Sequence, residues 1–527
     1  MPRLFTTSAL LFPLLGIGCA QPHPAPTLRS EAAARPATGT TGAAGGPSSV
    51  ALVELVGEAA EPIRSTGVLI IGSGAAGSAA ALEAMESGAD VIVVELADKL
   101  GGNGGSAGQH FAVGSRWQAE SRVEDSPEIA AAEWSSFTGG EGEDENVRAF
   151  LDGSAETIEW IEAHGAIINS FVSPDPANGS RSRIHGVFYE PGTYLADQVG
   201  EGLGEDALTA TRATSLVLDG DRVVGALVEG PAGSGWIEAE AVVVASGGFA
   251  RNDALMVAAR PALGELTFVY EASALSNGSG ANLVQEAGGS TQNLGNYGMY
   301  IHSAMDPRRA GGRESVLMQG TAFGLFVNPE GERLGDEGYY GTFEDADALL
   351  DAGFDHAWAL IPAAAFSGLL GIVPGYNWTD PHVAESYDAA TLLSLGVVTE
   401  YGSIEAFAEG RDVPLAAMQD TFDRYDALVE LGLDDDFGKN PDLLVPFGDG
   451  PIYAIELRPG AAKAFGGALT DSHMRALNRD GSVIPGLYVA GEAAGFLGTP
   501  SIGWGFSGSV SACLWGGRVA GGFAAAE

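Results

Sequence analysis

The sequence predicts an α/β fold built on a dinucleotide-binding βαβ unit, with a second domain inserted into the first. Three observations carry this expectation. Residues 68–95 read strand, glycine turn, helix, strand and terminal acid in unbroken succession. Apolar strand patterns that end in paired small residues recur at 239–248 and 487–492, far apart in the chain. Between about 297 and 463 the composition shifts to aromatics and irregular loops, and the earlier style resumes at 464.

The first unit is the most specific. Residues 68–71 (VLII) form a short apolar run, long enough for one buried strand. Gly72, Gly74 and Gly77 follow as G-x-G-x-x-G, with Ser73, Ala75 and Ala76 between them. The first glycine allows a tight turn, the second lets backbone approach a pyrophosphate, and the third lets helix and strand pack closely. The unpaired N–H groups at the start of the helix attract the anion. Gly88 closes the helix, and 91–94 is a second strand ending in Glu95 and Leu96. Glu95 stands at the separation where an acid binds ribose hydroxyls. In a chain with 77 glycines the pattern alone would mean little; its agreement with the flanking elements gives it weight.

A length of 527 residues exceeds one ordinary core and implies at least two domains. The 26 basic and 69 acidic residues leave a net charge of −43, which argues against nucleic acid as a partner. Lysine occurs only at Lys99, Lys439 and Lys463. The cysteines are Cys19 and Cys513, with no CxxCH for haem and no CxxC pair for zinc or a cluster. A redox cofactor is therefore held noncovalently or through something other than cysteine, and no metal site is expected.

Residues 1–18 read as a secretory signal, too short to span a membrane as a permanent helix. LGIGCAQ resembles a bacterial lipoprotein box, with Gly16 where Leu is usual. Cys19 is then either a lipid-attachment site or an incidental residue after an ordinary cleaved signal. Residues 19–61, rich in Pro, Ala, Thr and Gly, form a flexible tether. The expectation is an exported protein, periplasmic or held at a membrane only through Cys19.

After Leu96 comes a glycine-rich loop with Gly101, Gly102, Asn103, Ser106, Ala107 and Gly108. It either brings backbone close to a cofactor or is a plain flexible loop. Residues 128–164 read as mainly helical, 169–194 as irregular, with Arg181, Arg183, His185 and Tyr189, and 195–203 as helix. A hairpin is expected over 214–228, turning at Asp219-Gly220. The strand ending at Ala245 runs into Ser246, Gly247 and Gly248, another place for close backbone approach. Asn277 and Gly280 precede a helix over 281–287; Gly491 and Glu492 follow a strand at 487–490; a helix over 510–525 closes the chain. The acidic run 434–436 reads as a solvated loop. The domains so defined are 62–296 and 464–527 for dinucleotide binding and 297–463 for the insertion.

These pieces, in this order, resemble the fumarate reductase/succinate dehydrogenase flavoprotein family, including its 3-ketosteroid dehydrogenase branch. The resemblance covers about 63–525. Its carriers are IGSGAAGSAAALEA…VIVVE, LGGNGGSAG, IEAEAVVVASGGFARN, GLFVNPEGERLGDE and DGSVIPGLYVAGEAAG. It implies a Rossmann-like FAD-binding domain with an inserted α+β capping, catalytic domain. It implies pyrophosphate at Gly72, Gly74 and Gly77, adenosine ribose at Glu95, and flavin beside Gly102, Asn103 and Ser106. Gly247 and Gly248 match an A-T-G-G turn with Ser246 in place of Thr. Glu492 matches the acid on the ribityl side, and Phe506 and Ser507 lie where main chain meets the pyrimidine ring. Members with covalent flavin carry His where Asn103 stands, so the FAD is expected to be noncovalent.

The departures from the family bear on the substrate. Fumarate reductases place an Arg where Gly341 stands here, beside Tyr339 and Tyr340. They have a His where Lys463 stands, and a carboxylate-gripping Arg where Ser501 stands. A dicarboxylate needs cationic, preferably bidentate partners. The replacements suit a neutral, partly apolar carbonyl compound, closer to the ketosteroid branch. That branch's Tyr in the closing loop is also absent, while Gly505 matches the Gly whose N–H contacts the substrate ketone.

Oxidising a CH–CH bond beside a carbonyl needs a base, an electrophile and a hydride acceptor. Tyr340, then Tyr339, is expected as base or proton shuttle, the alternative being packing. Tyrosine titrates near ~10 unless a neighbour such as the Lys463 ammonium favours the phenolate. Lys463 is alternatively the base or the carbonyl's hydrogen-bond donor. Gly505 N–H is a second donor, and His302 and His185 are further contributors. The expected partners are a small neutral substrate and a separate electron carrier. Two rival readings stand beside this one. One is an unsaturated-acid reductase with an anion site rebuilt on Arg183 or Arg251. The other is a non-catalytic flavin-binding lipoprotein.

Overall fold

Strand β1 (Arg64–Ile71) ends in four consecutive buried apolar residues, as a strand covered on both faces requires. It leads through the glycine turn into α1 (Ala75–Glu86) and then β2 (Val91–Val94). β1 and β2 pair in parallel, Val68 opposite Val91 and Ile71 opposite Val94. On its other edge β1 pairs in parallel with Gly233–Val244, and Val483–Val489 adds beside that strand, also in parallel. The register brings Ile71, Val94, Val244 and Val489 to one end of the sheet. The turns that follow these four residues therefore open on one crevice, where ligands bind in open α/β sheets. The computed structural model describes residues 61–103, 108–138, 145–174, 182–190, 192–295, 297–309, 313–339, 343–373, 385–495 and 509–527, all within the unit Leu52–Glu527. The expected signal and nearly all of the tether lie outside the described residues.

The closing helix Ser509–Ala524 lies against α1. A Cβ on its Gly517 or Gly521 would stand 2.2 or 2.3 Å from the carbonyl oxygens of Ala76 and Ala80. Small residues on both helices thus set the spacing behind the crevice. The hairpin Arg212–Asp219 with Arg222–Gly230 forms as expected and continues into Gly233–Val244.

A second sheet, of nine strands among the described residues, covers the crevice. Its central strand, Ile452–Ala464, pairs antiparallel with Tyr297–Met305 on one side and Ala357–Pro362 on the other. Ser315–Gln319 pairs with Tyr297–Met305, and the short strand Val269–Tyr270 joins Ile452–Ala464 in parallel. The apolar core under this sheet contains Met299, Ile301, Val316, Ile455 and Leu457. It also recruits Phe249, Met256, Leu263 and Phe268, so packing of the cap begins ahead of residue 297.

Two local expectations change. The stretch 169–194, expected to be irregular, holds most of the strand Ile167–Pro174 and all of Ser182–Phe188, which pair into one sheet with Gln109–Phe111. Its buried residues include Arg183 and His185, polar types that break an apolar alternation. The acidic run at 434–436 is not wholly solvated. Asp434 is buried and accepts from Arg333 at 2.7 Å and from the backbone N–H groups of Asp436, Phe437 and Lys439. A buried carboxylate with this many donors is a structural anchor.

Candidate active site

The glycine turn forms the floor of the site. Gly72 has φ +99°, and a Cβ there would lie 2.6 Å from the carbonyl oxygen of Ala245. A Cβ on Gly77 would lie 1.9 Å from the carbonyl oxygen of Gly72, so only glycine lets α1 start this close to the turn. Gly74 differs: among the described residues nothing lies within 4 Å of the Cβ it lacks. The start of α1 has no side-chain cap and no acid in its first turn. Its free N–H groups, around Gly74, Ala75 and Ala76, are left to receive an anion.

Ser73 and Glu95 tie the turn to β2. Glu95 Oε2 accepts from Ser73 N at 2.9 Å and Ser73 Oγ at 2.7 Å, and its Oε1 accepts from Ala97 N. Gly101 N donates to Ser73 Oγ, which draws the following loop to the same point. Asn103 Nδ2 donates to Ser276 Oγ at 3.1 Å.

A cavity of about 480 Å³ runs from this floor to the underside of the cap. Of the residues expected at the cofactor, Gly72, Ser73, Gly74, Ala75, Ala76, Glu95, Leu96, Gly102, Asn103, Ala245, Gly247, Gly491 and Glu492 line it. Gly77, Gly101, Gly108, Gly248, Asn277 and Gly280 are described but are not among the lining residues. Asn277 Oδ1 accepts from Ser279 N, and a Cβ on Gly280 would meet Ser246 Oγ at 2.5 Å. Ser106, Ala107, Tyr340, Gly505, Phe506 and Ser507 lie outside the described residues. Tyr339 ends the short turn Glu337–Tyr339, which Glu337 anchors by bonds from Arg333 and Phe326 N.

The lining fits FAD. Asn103 Oδ1 and Ser246 Oγ are buried in the cavity wall without a partner among the described residues, which is uncommon unless a ligand completes them. The open space at Gly74 and Gly247 leaves backbone facing the cavity. A nucleotide with phosphates at α1 and hydrogen-bonding rings at both ends meets each of these features.

Ionisable and polar groups from both parts line the cavity: Lys463, Glu271, Tyr300 and His302 from the cap side, and Glu492, Ser509 and Cys513 from the turn 491–493 and the closing helix. Lys463 comes from the strand Ile452–Ala464, and its Nζ donates to Ser509 Oγ at 3.3 Å. Burial pulls the Lys463 ammonium down to about 8, while Glu492, Cys513 and Glu271 oppose that shift. Burial raises the Glu492 carboxyl above its ordinary range, and Lys463 opposes it. Burial also pushes the Cys513 thiol up to about 12, so it stays protonated. His302 Nε2 lies 3.4 Å from Glu271 Oε2, and its ring stacks on Tyr300 at 4.8 Å between centroids. His302 and Lys463, both expected from sequence, are thus brought to one wall.

Other expected residues are not at this wall. His185 is fully buried beside Ser115 Oγ at 2.7 Å, and burial lowers it to about 4. Arg183 is fully buried and grips Asp125 through Nε and Nη2 and Glu133 through Nη1. Arg251 is bound to Glu314 at 2.6 Å. Neither arginine lines the cavity. Sequence reasoning missed Glu271, Tyr300 and Ser509. Tyr300 had a weak signal in its two-residue spacing from His302 on one strand; Glu271 had none.

A nucleotide-binding crevice thus lies under a cap whose inner wall carries ionisable groups. The chain belongs to the family described as "FAD binding domain", which matches residues 67–508. It is 29% identical over 441 residues to "NADH:fumarate oxidoreductase" of Klebsiella pneumoniae, covering 82% of this chain. The match spans only 45% of that protein's length. It is 27% identical over 456 residues to "Vinyl phenol reductase" of Lactiplantibacillus plantarum, covering 82% of this chain and 90% of that one. In fold it is similar to 3-ketosteroid delta1-dehydrogenase from Sterolibacterium denitrificans, with a TM-score of 0.72, 18% identity, and coverage of 88% and 100%. The protein is therefore an FAD-binding flavoprotein of this family.

Proposed function

We propose that this protein exchanges hydride with the carbon–carbon bond beside a neutral carbonyl, ketosteroid-like in kind, and works mainly as a reductase. One observation carries the neutral-substrate reading. Among the described residues, Lys463 and His302 line the cavity together with the carboxylates Glu271, 3.4 Å from His302, and Glu492. A dianion would have to displace those carboxylates. The reductive direction is supported by relatives named as reductases, one of which acts on a vinyl phenol, a substrate without a carboxylate.

FAD held at the glycine turn and Glu95 would, once reduced by two electrons, be the source of the hydride. Lys463, as the ammonium, donates to the carbonyl oxygen and steadies the charge that develops there. In this reading Gly505 N–H is the second donor, and Tyr340, then Tyr339, hands over the proton at the carbon next to the carbonyl. Electrons come from a separate carrier. The test is steady-state turnover with a chemical electron donor and a panel of enones, vinyl phenols and unsaturated acids. The reading expects the neutral compounds to be turned over at least about tenfold faster in kcat/KM than the acids. The reverse ranking would overturn it.

A second reading, reduction of an unsaturated carboxylate, is favoured by relatives named for fumarate. It would use Lys463 and His302 as the anion's partners and would show strong competition by simple carboxylates.

A further inference from the structure

Glu271 sits in a place built to hold a carboxylate inside the reaction chamber. The residue follows the two-residue strand Val269–Tyr270, and the backbone N–H groups of Glu271 and Ala272 both donate to the carbonyl of Ala461. This fixes the side chain against the strand Ile452–Ala464. Its Oε1 accepts from Ser303 Oγ at 2.7 Å, and both residues are buried. A Cβ on Gly460 would stand 1.9 Å from that same oxygen, so the absence of a side chain at 460 makes the room. The pairing of Tyr297–Met305 with Ile452–Ala464 slips between Tyr300 and Ser303, and His302 lies in that slip. There its Nε2 meets the other oxygen of Glu271 at 3.4 Å. Glu271 also acts on the Lys463 ammonium across the same chamber.

We infer that Glu271 determines specificity by refusing carboxylate substrates. This rests on the neutral-substrate reading above and assigns it to a residue. The wall presents two groups suited to an anion, His302 and Lys463, and Glu271 occupies the first while opposing any further negative charge near the second. Discrimination of this kind needs a repulsive element as well as attractive ones. A neutral carbonyl still accepts a hydrogen bond from Lys463, whereas a carboxylate meets a fixed negative charge in a partly desolvated chamber.

The experiment uses the full chain loaded with FAD, with acrylate and fumarate as anionic probes and methyl vinyl ketone as the neutral one. Binding is read from the flavin absorbance change and turnover from reoxidation of the reduced flavin. Glu271→Gln keeps the shape and an acceptor for Ser303. It is expected to tighten acrylate binding by about tenfold to a hundredfold. Lys463→Met added to Glu271→Gln should abolish that gain. No gain in acrylate affinity in a Glu271→Gln protein that holds FAD overturns the inference. Glu271→Ser, which removes the charge by a different route, must give the same direction of change and serves if the Gln variant does not retain FAD. Failure of the neutral-substrate reading looks different: the unmodified protein itself would bind and reduce the acids in preference to the ketone.

Discussion

In the proposed function, Lys463 is the residue on which the chemistry turns. The two other lysines are elsewhere; Lys439 is fully buried and donates to the carbonyl of Gly324. Burial lowers Lys463 to about 8, so its charge changes within the ordinary working range. The protonated form is the one that donates to a carbonyl. Reductive turnover should therefore be high below that pH and fall as pH rises through about 8. Lys463→Met should lower kcat by about a hundredfold and remove that alkaline limb, while the flavin spectrum stays bound-like. A pH–rate profile of both proteins checks this. Glu271 teaches the complementary point: it stands as a lone acid in YEASALSNG, and its neighbours Ser303 and Gly460 come from strands far along the chain. Nothing local marks it, so only the fold reveals its role.

At the scale of elements, the β1–α1–β2 unit was legible because three periods changed in step: a buried run, a glycine turn and an alanine-rich helix. Gly77→Ala should separate α1 from the turn, since its Cβ would collide with the Gly72 carbonyl. The expected result is protein purified without FAD and with a lower melting temperature, read by absorbance and calorimetry. The strands around Arg183 and His185 were not legible, because their partners Asp125, Glu133 and Ser115 lie on other elements and convert polar residues into buried ones. The same holds for Asp434, whose carboxylate joins Arg333 and caps the turn before Lys439. Asp434→Ala leaves Arg333 with one fewer partner and three backbone N–H groups without their acceptor. It should cost about 3–5 kcal/mol of stability, measurable by denaturant unfolding.

For the whole molecule, the division into a nucleotide-binding sheet and an overlying cap followed from composition. The place where the two share packing did not, because Phe249, Met256 and Phe268 belong to the cap core while lying in the stretch read as the first domain. A net charge of −43 repels anions at long range, and salt screens that repulsion with a Debye length of about 10 Å at 0.1 M. KM for a neutral substrate should stay flat as salt rises from about 20 mM to 500 mM, whereas kcat/KM for any carboxylate should climb.

The central claim is that the chamber serves a neutral carbonyl. Anaerobic mixing of the chemically reduced, FAD-loaded protein with an enone and, separately, with fumarate tests it most directly, by following return of the oxidised flavin absorbance. Rapid reoxidation by the enone and little by fumarate is the expected result. Rapid reoxidation by fumarate, with the enone inert, would contradict it.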